Sequence, residues 1–119
     1  MNFLEELEAL GVNVEEGLER VLDDESLYET MLDMFPDRVN GSPIAIEDFE
    51  ADSLDTLVER VHMLKGLTGN LAMTPLFEGY LQTLELLRAG RPKEAVVEYE
   101  RILPIQTAVV DCIKRHRSV

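Results

Sequence analysis

Apolar residues that return every third or fourth position constrain this chain more than any other feature. Leu54, Leu57, Val58, Val61, Leu64 and Thr68 fall on one face of a helix, and no stretch alternates for a useful length as a strand would. The same period predicts short helices over Asn2 to Leu10, ended by Gly11, and from about Val14 to Leu22. In DDESLYETMLDMF it places Leu27, Met31, Met34 and Phe35 on one apolar stripe, interrupted afterwards by Pro36 and the NGSP turn. A short helical turn is expected around Ile46 and Phe49 within Ile44 to Asp52. Ser53 is an N-cap candidate for a helix reaching Asn70, itself expected as the C-cap. Thr74 followed by Pro75 opens the next helix, which runs to about Arg88 and stops at Ala89 and Gly90. Pro92 starts a last helix to about His116, buried through Ala95, Val96, Tyr99, Ile102, Leu103, Ile105, Val109 and Ile113, with a kink expected at Pro104. Long helices with short connections predict one all-α domain over residues 1–119. Its form is an antiparallel, up-down four-helix bundle with additional short N-terminal helices and a hairpin over about 53–90.

Composition narrows the classes. At 119 residues with 45% hydrophobic content, the chain has enough apolar surface for one core. No apolar run approaches the roughly 20 residues that span a bilayer, so no membrane association is expected. The N-terminus is acidic where a secretory signal would be basic, and Cys112 has no second cysteine to pair with, so a reducing cytoplasm is expected. A net charge of -13 argues against nucleic-acid binding. That charge is unevenly spread: 18 of the 24 acids but only 2 of the 11 bases lie in residues 1–59. One reading is a solvated acidic face; the other is that the half carrying His62 is kept less negative to tolerate an anion.

Residues 61–70 read VHMLKGLTGN, with two glycines inside the predicted helix at a cost of roughly 1 kcal/mol each relative to alanine. With Val61 set at zero, Lys65 lies near ~40°, Gly69 near ~80°, His62 near ~100° and Gly66 near ~140° around the helix. His62 therefore sits at the edge of the core stripe with bare backbone beside it. Gly66 and Gly69 leave room for a protein or phosphate group to approach, and Lys65 carries a compact charge suited to phosphate oxygens. Its charge also favours the neutral, nucleophilic imidazole. These residues fit a phosphoaccepting histidine, whose second ring nitrogen needs an acceptor from the following helix. Metal binding needs more converging ligands than two distant histidines and one cysteine. Neither a nucleophile elbow nor a phosphate-cradling glycine loop is present, so the chain reads as a carrier that receives phosphate from another protein, not as an enzyme.

VHMLKGLTGN resembles the signature of histidine phosphotransfer (HPt) domains, a His-x-x-Lys-Gly core followed by small residues and Gly-Asn. GVNVEEGLERVLDDESLYETMLDMF is similar to the opening of such sequences, FEADSLDTLVERVH to the approach to their phosphoacceptor, and LQTLELLRAG to their next helix. The likeness covers most of residues 10–90. It implies that His62 is phosphorylated, that Lys65 is the phosphate-side cation and that Gly66 admits the partner. It also implies that its partners are a response-regulator receiver domain and a histidine or hybrid kinase, with no cofactor of its own and magnesium on the receiver; a monomer is expected. Family members place Gln or Glu 22 positions after the histidine to orient the ring; here that position is Leu84. Glu85 fits if one residue is inserted in the LAMTPL turn, and Gln82 is the alternative. The departure keeps a rival open, a helical adaptor that binds receivers or kinases without carrying phosphate. A small dimerising regulatory bundle is a third reading. His116, in the basic end KRHRSV, is expected to face solvent.

Overall fold

The computed structural model describes residues 2–51 and 54–117. Seven α-helices follow in order: α1 (Phe3–Ala9), α2 (Val14–Arg20), α3 (Glu25–Leu32), α4 (Met34–Gly41), α5 (Asp55–Asn70), α6 (Thr74–Arg88) and α7 (Pro92–Arg117). A single 3-10 helix, Ile46–Glu50, lies between α4 and α5, and the described residues contain no strand. The fold is all-α, as the periodicity predicts. Helix α6 packs along both α5 and α7, while the short helices cover the remaining sides of α5 and α7. The core joins Leu57, Val61 and Leu64 of α5, Tyr80, Leu84 and Leu87 of α6, and Tyr99, Ile102 and Val109 of α7. Gly79 lets α6 and α7 approach closely, since a Cβ there would overlap the Ile102 side chain. Buried Tyr80 and Gln106 hydrogen-bond across the same contact.

Local signals set the helix ends. Asn2, Asn13 and Asp24 cap α1, α2 and α3 by accepting from the backbone N–H three residues on, each satisfying one orphan donor. At the end of α6, Gly90 takes a positive φ of 74°; its N–H donates to Leu87 and that of Arg91 to Leu86, the paired bonds of a Schellman stop. The α5 helix ends the same way one residue later than expected: Leu71 is the C-cap, Asn70 is still helical, and Ala72 takes the left-handed conformation at φ 58°. Met73, not Thr74, is the N-cap of α6, with Pro75 in its first turn. The Ser53 cap lies outside the described residues.

Two expectations are corrected in the N-terminal third. The buried face of α3 is Tyr28 and Leu32, continued by Phe35, whereas Leu27 is 46% and Met34 39% exposed. The stripe is rotated by one position because Tyr28 can be buried whole: its hydroxyl donates to the Leu71 carbonyl at 2.9 Å. The helix is interrupted as expected, at Asp33 between α3 and α4, and Pro36 sits in the first turn of α4, where its missing N–H costs no hydrogen bond. The α4 helix then continues through Asn40 and Gly41. The turn around Ile46 and Phe49 is the 3-10 helix, and α7 runs on through Pro104.

Charge asymmetry between the halves has a structural counterpart. Among the described residues, side chains of the basic half meet acids of the other half: Arg60 meets Asp48 at 3.3 Å, Arg115 Glu6 at 3.6 Å, His116 Glu29 at 3.5 Å and Arg117 Asp37 at 3.1 Å. His116 also stacks face to face on Phe3, with centroids 3.9 Å apart. Exposed pairs of this kind contribute at most about 1 kcal/mol each. The three on α7 tie its C-terminal end to α1, α3 and α4.

Candidate functional site

The site helix α5 buries Leu57, Val61, Leu64 and Thr68 of the stripe read from the sequence, while Leu54, just before the helix, and Val58 are half-buried. Thr68 satisfies its hydroxyl within the helix by donating to the Leu64 carbonyl at 2.7 Å, so the buried face holds no stranded polar group. His62 lies off this stripe and is exposed. Among the described residues its imidazole makes no hydrogen bond, ion pair or ring contact. Lys65, one turn on, is half-buried and its ammonium is likewise unpaired. Of the two bases on α5, Arg60 is instead tied down, donating to the Pro43 carbonyl at 2.7 Å and to Asp48.

The two glycines differ. A Cβ built on Gly66 meets nothing within 4 Å, so its side of the helix is open. A Cβ on Gly69 would lie 3.1 Å from both Cδ1 and Cε1 of Phe77. Gly69 therefore takes up the edge of an α6 ring, and its smallness serves hairpin packing before it serves access. Beyond Gly66 the surface drops into a cleft of about 450 Å³, lined by Lys65, Gly66, Gly69, Phe77, Glu16 and Arg20 among others. Arg20 and Phe77 are site neighbours that sequence reasoning missed. Phe77 had a readable signal, since Phe77, Leu81 and Glu85 repeat every fourth residue on α6 outside its buried face. Arg20 had none, because only the tertiary placement of α2 brings it to α5.

The Gly69–Phe77 contact sets the hairpin register. Seven residues back on α5 and seven or eight forward on α6 cover about the same rise, which puts His62 level with Leu84 and Glu85. Leu84 is 1% exposed and points into the core. Glu85 and Gln82 are both exposed, and neither is bonded to His62. Glu85 continues the Phe77–Leu81 row beside α5, whereas Gln82 lies about 60° farther round the helix.

Contacts from outside the hairpin hold its turn. Asn13 donates its N–H to the Ala72 carbonyl at 2.8 Å, Tyr28 caps Leu71, and Gly11 lies so close to Pro75 that a Cβ would reach 2.6 Å from Cγ. The N-terminal helices thus brace the connection that aligns α5 with α6. Among the described residues no cluster of His, Cys, Asp and Glu could hold a metal ion, and no helix is long and apolar enough to cross a membrane. Compared with protein-family models, curated proteins and solved structures, the chain matches none of them significantly. A functional reading therefore rests on the chemistry of its own residues.

Proposed function

We propose that this chain is a histidine-containing phosphotransfer protein that accepts a phosphoryl group on His62 from a receiver-domain aspartate or a histidine kinase and passes it to another receiver. The observation that carries the reading is the unpartnered, exposed His62 imidazole, with the unpaired Lys65 one turn away and open space over Gly66. In this reading α5 to α7 and the preceding short helices form an up-down four-helix bundle, and the protein acts as a cytoplasmic monomer. An unprotonated ring nitrogen of His62 attacks phosphorus, the P–N bond forms, and the bond to the aspartyl oxygen breaks with the carboxylate leaving. Magnesium on the receiver and Lys65 here offset the charge spread over the phosphoryl oxygens. The imidazole becomes cationic as it is phosphorylated, and Glu85 is the better placed of the two candidates to accept its remaining N–H.

Incubation with a receiver phosphorylated on aspartate tests the reading. The expected product is an acid-labile, base-stable label on this chain, lost in His62→Gln and reduced in Lys65→Ala. A label that persists in His62→Gln overturns the site. The buried Leu84, at the position where an orienting side chain is expected, favours one rival, an adaptor that binds receivers or kinases without accepting phosphate. Saturable receiver binding with no label on the wild-type chain would select it.

A further inference from the structure

We infer that α7 carries a second docking surface, separate from the His62 strip, for a basic amphipathic helix of another protein. A groove of about 650 Å³ runs along the outer side of α7, lined by Ile46, Leu103, Pro104 and Ala108 and closed at its ends by Glu100 and Asp111. Thr107 completes the lining, so no basic side chain lines it. Ile46 is 37% exposed, and Val97, one turn before Glu100 on α7, is 67% exposed. An apolar floor with uncovered residues at its margin is what a partner's apolar stripe would bury.

The groove wall is preformed. Arg60 holds the 3-10 helix through Asp48 and the Pro43 carbonyl, Tyr99 donates to the Ile44 carbonyl at 3.4 Å, and Phe49 packs on Tyr99 with ring centroids 5.4 Å apart. Ile46 is therefore fixed opposite Pro104 by contacts on both sides of the chain.

Charge selects the occupant. Glu100 and Asp111 make no ion pair among the described residues, unlike the acids that meet Arg60, Arg115 and Arg117. Pro104 lacks an N–H, so the Glu100 carbonyl loses its helical donor. A second copy of this chain fits poorly, because two antiparallel α7 helices centred on this floor would set each Glu100 against the other's Asp111. A helix with lysine or arginine near both ends, eleven positions or about 16 Å apart, meets both carboxylates at once.

The test uses the full chain, isotope-labelled for NMR, and two synthetic helical peptides. Both carry leucines at every third or fourth position; one has lysines eleven positions apart, the other glutamates there. The lysine peptide is expected to shift the signals of Ile46, Leu103 and Ala108 and to bind about tenfold or more tightly than the glutamate peptide, equivalent to about 1.4 kcal/mol. Glu100→Lys/Asp111→Lys, both at exposed positions, should reverse the preference. Equal binding of the two peptides, shifts elsewhere on the surface, or no change in the double variant would overturn the inference. Sedimentation showing a dimer that Ala108→Arg dissolves would overturn it too, by giving the groove to a second copy.

Discussion

Gly66 and Gly69 have the same side chain and opposite circumstances. At Gly66 an added methyl meets nothing, so alanine gains up to about 1 kcal/mol of helix propensity at no packing cost. At Gly69 the methyl presses on Phe77, which offsets that gain. Gly66→Ala is accordingly expected to raise the urea midpoint while slowing phosphotransfer from a receiver, whereas Gly69→Ala leaves stability near neutral or lowers it. A Gly66→Ala chain that is more stable and transfers at the wild-type rate would remove Gly66 from the docking face. The motif made His62, Lys65 and Gly66 legible as a group because their positions depend only on helix geometry. Which α6 residue lies level with the imidazole was not legible, because Leu84, Glu85 and Gln82 can be ranked only once the Gly69–Phe77 contact sets the register.

Helix α3 shows where periodicity stops being sufficient. The expected stripe Leu27–Met31–Met34–Phe35 and the observed face Tyr28–Leu32–Phe35 share Phe35 and differ by one position before it. Burial goes to the second because the Tyr28 hydroxyl finds the Leu71 carbonyl, at the end of α5, and its ring covers the backbone of Gly17. Tyr28→Phe keeps the ring and strands that carbonyl, at a cost of about 1–3 kcal/mol. Urea unfolding should report a loss of that size, and amide exchange should quicken first at Leu71 and Ala72, the connection that α2 and α3 brace. Uniform exchange with unchanged stability would mean the α5–α6 turn holds itself. The helix ends were more readable than the helix faces, since Asn13, Asp24 and Gly90 act locally. Leu22 and Ala72 were exceptions, ending α2 and α5 at φ 54° and 58°: a left-handed leucine or alanine has no residue-type signature, and at Ala72 bracing from α2 and α3 is what tolerates it.

Across the whole molecule, the buried ionisable groups share one sign of response to alkali. Burial holds Tyr28 up to about 12 from 10.0, and burial followed by the neighbouring Glu6 carboxylate holds the Cys112 thiol up to about 11 from 9.0. Burial also raises Tyr80 and Tyr99. In each case the neutral form belongs to the folded state, so above the unfolded value the unfolded chain binds fewer protons and stability falls as pH rises. The loss begins near pH 9 with the thiol, steepens near pH 10 as the tyrosines join, and for Cys112 is complete once pH passes about 11. Urea midpoints measured from pH 7 upward are expected to hold to about pH 9 and then decline. Cys112→Ala should flatten the first part of that decline and leave the tyrosine part in place. The Cys112 thiol, under α1 and beside Glu6 at 3.4 Å, should also react slowly with iodoacetamide at pH 8 and quickly only after unfolding. Rapid alkylation of the folded chain at pH 8 would mean that α1 leaves α7 far more often than its contacts with Arg115 and His116 imply.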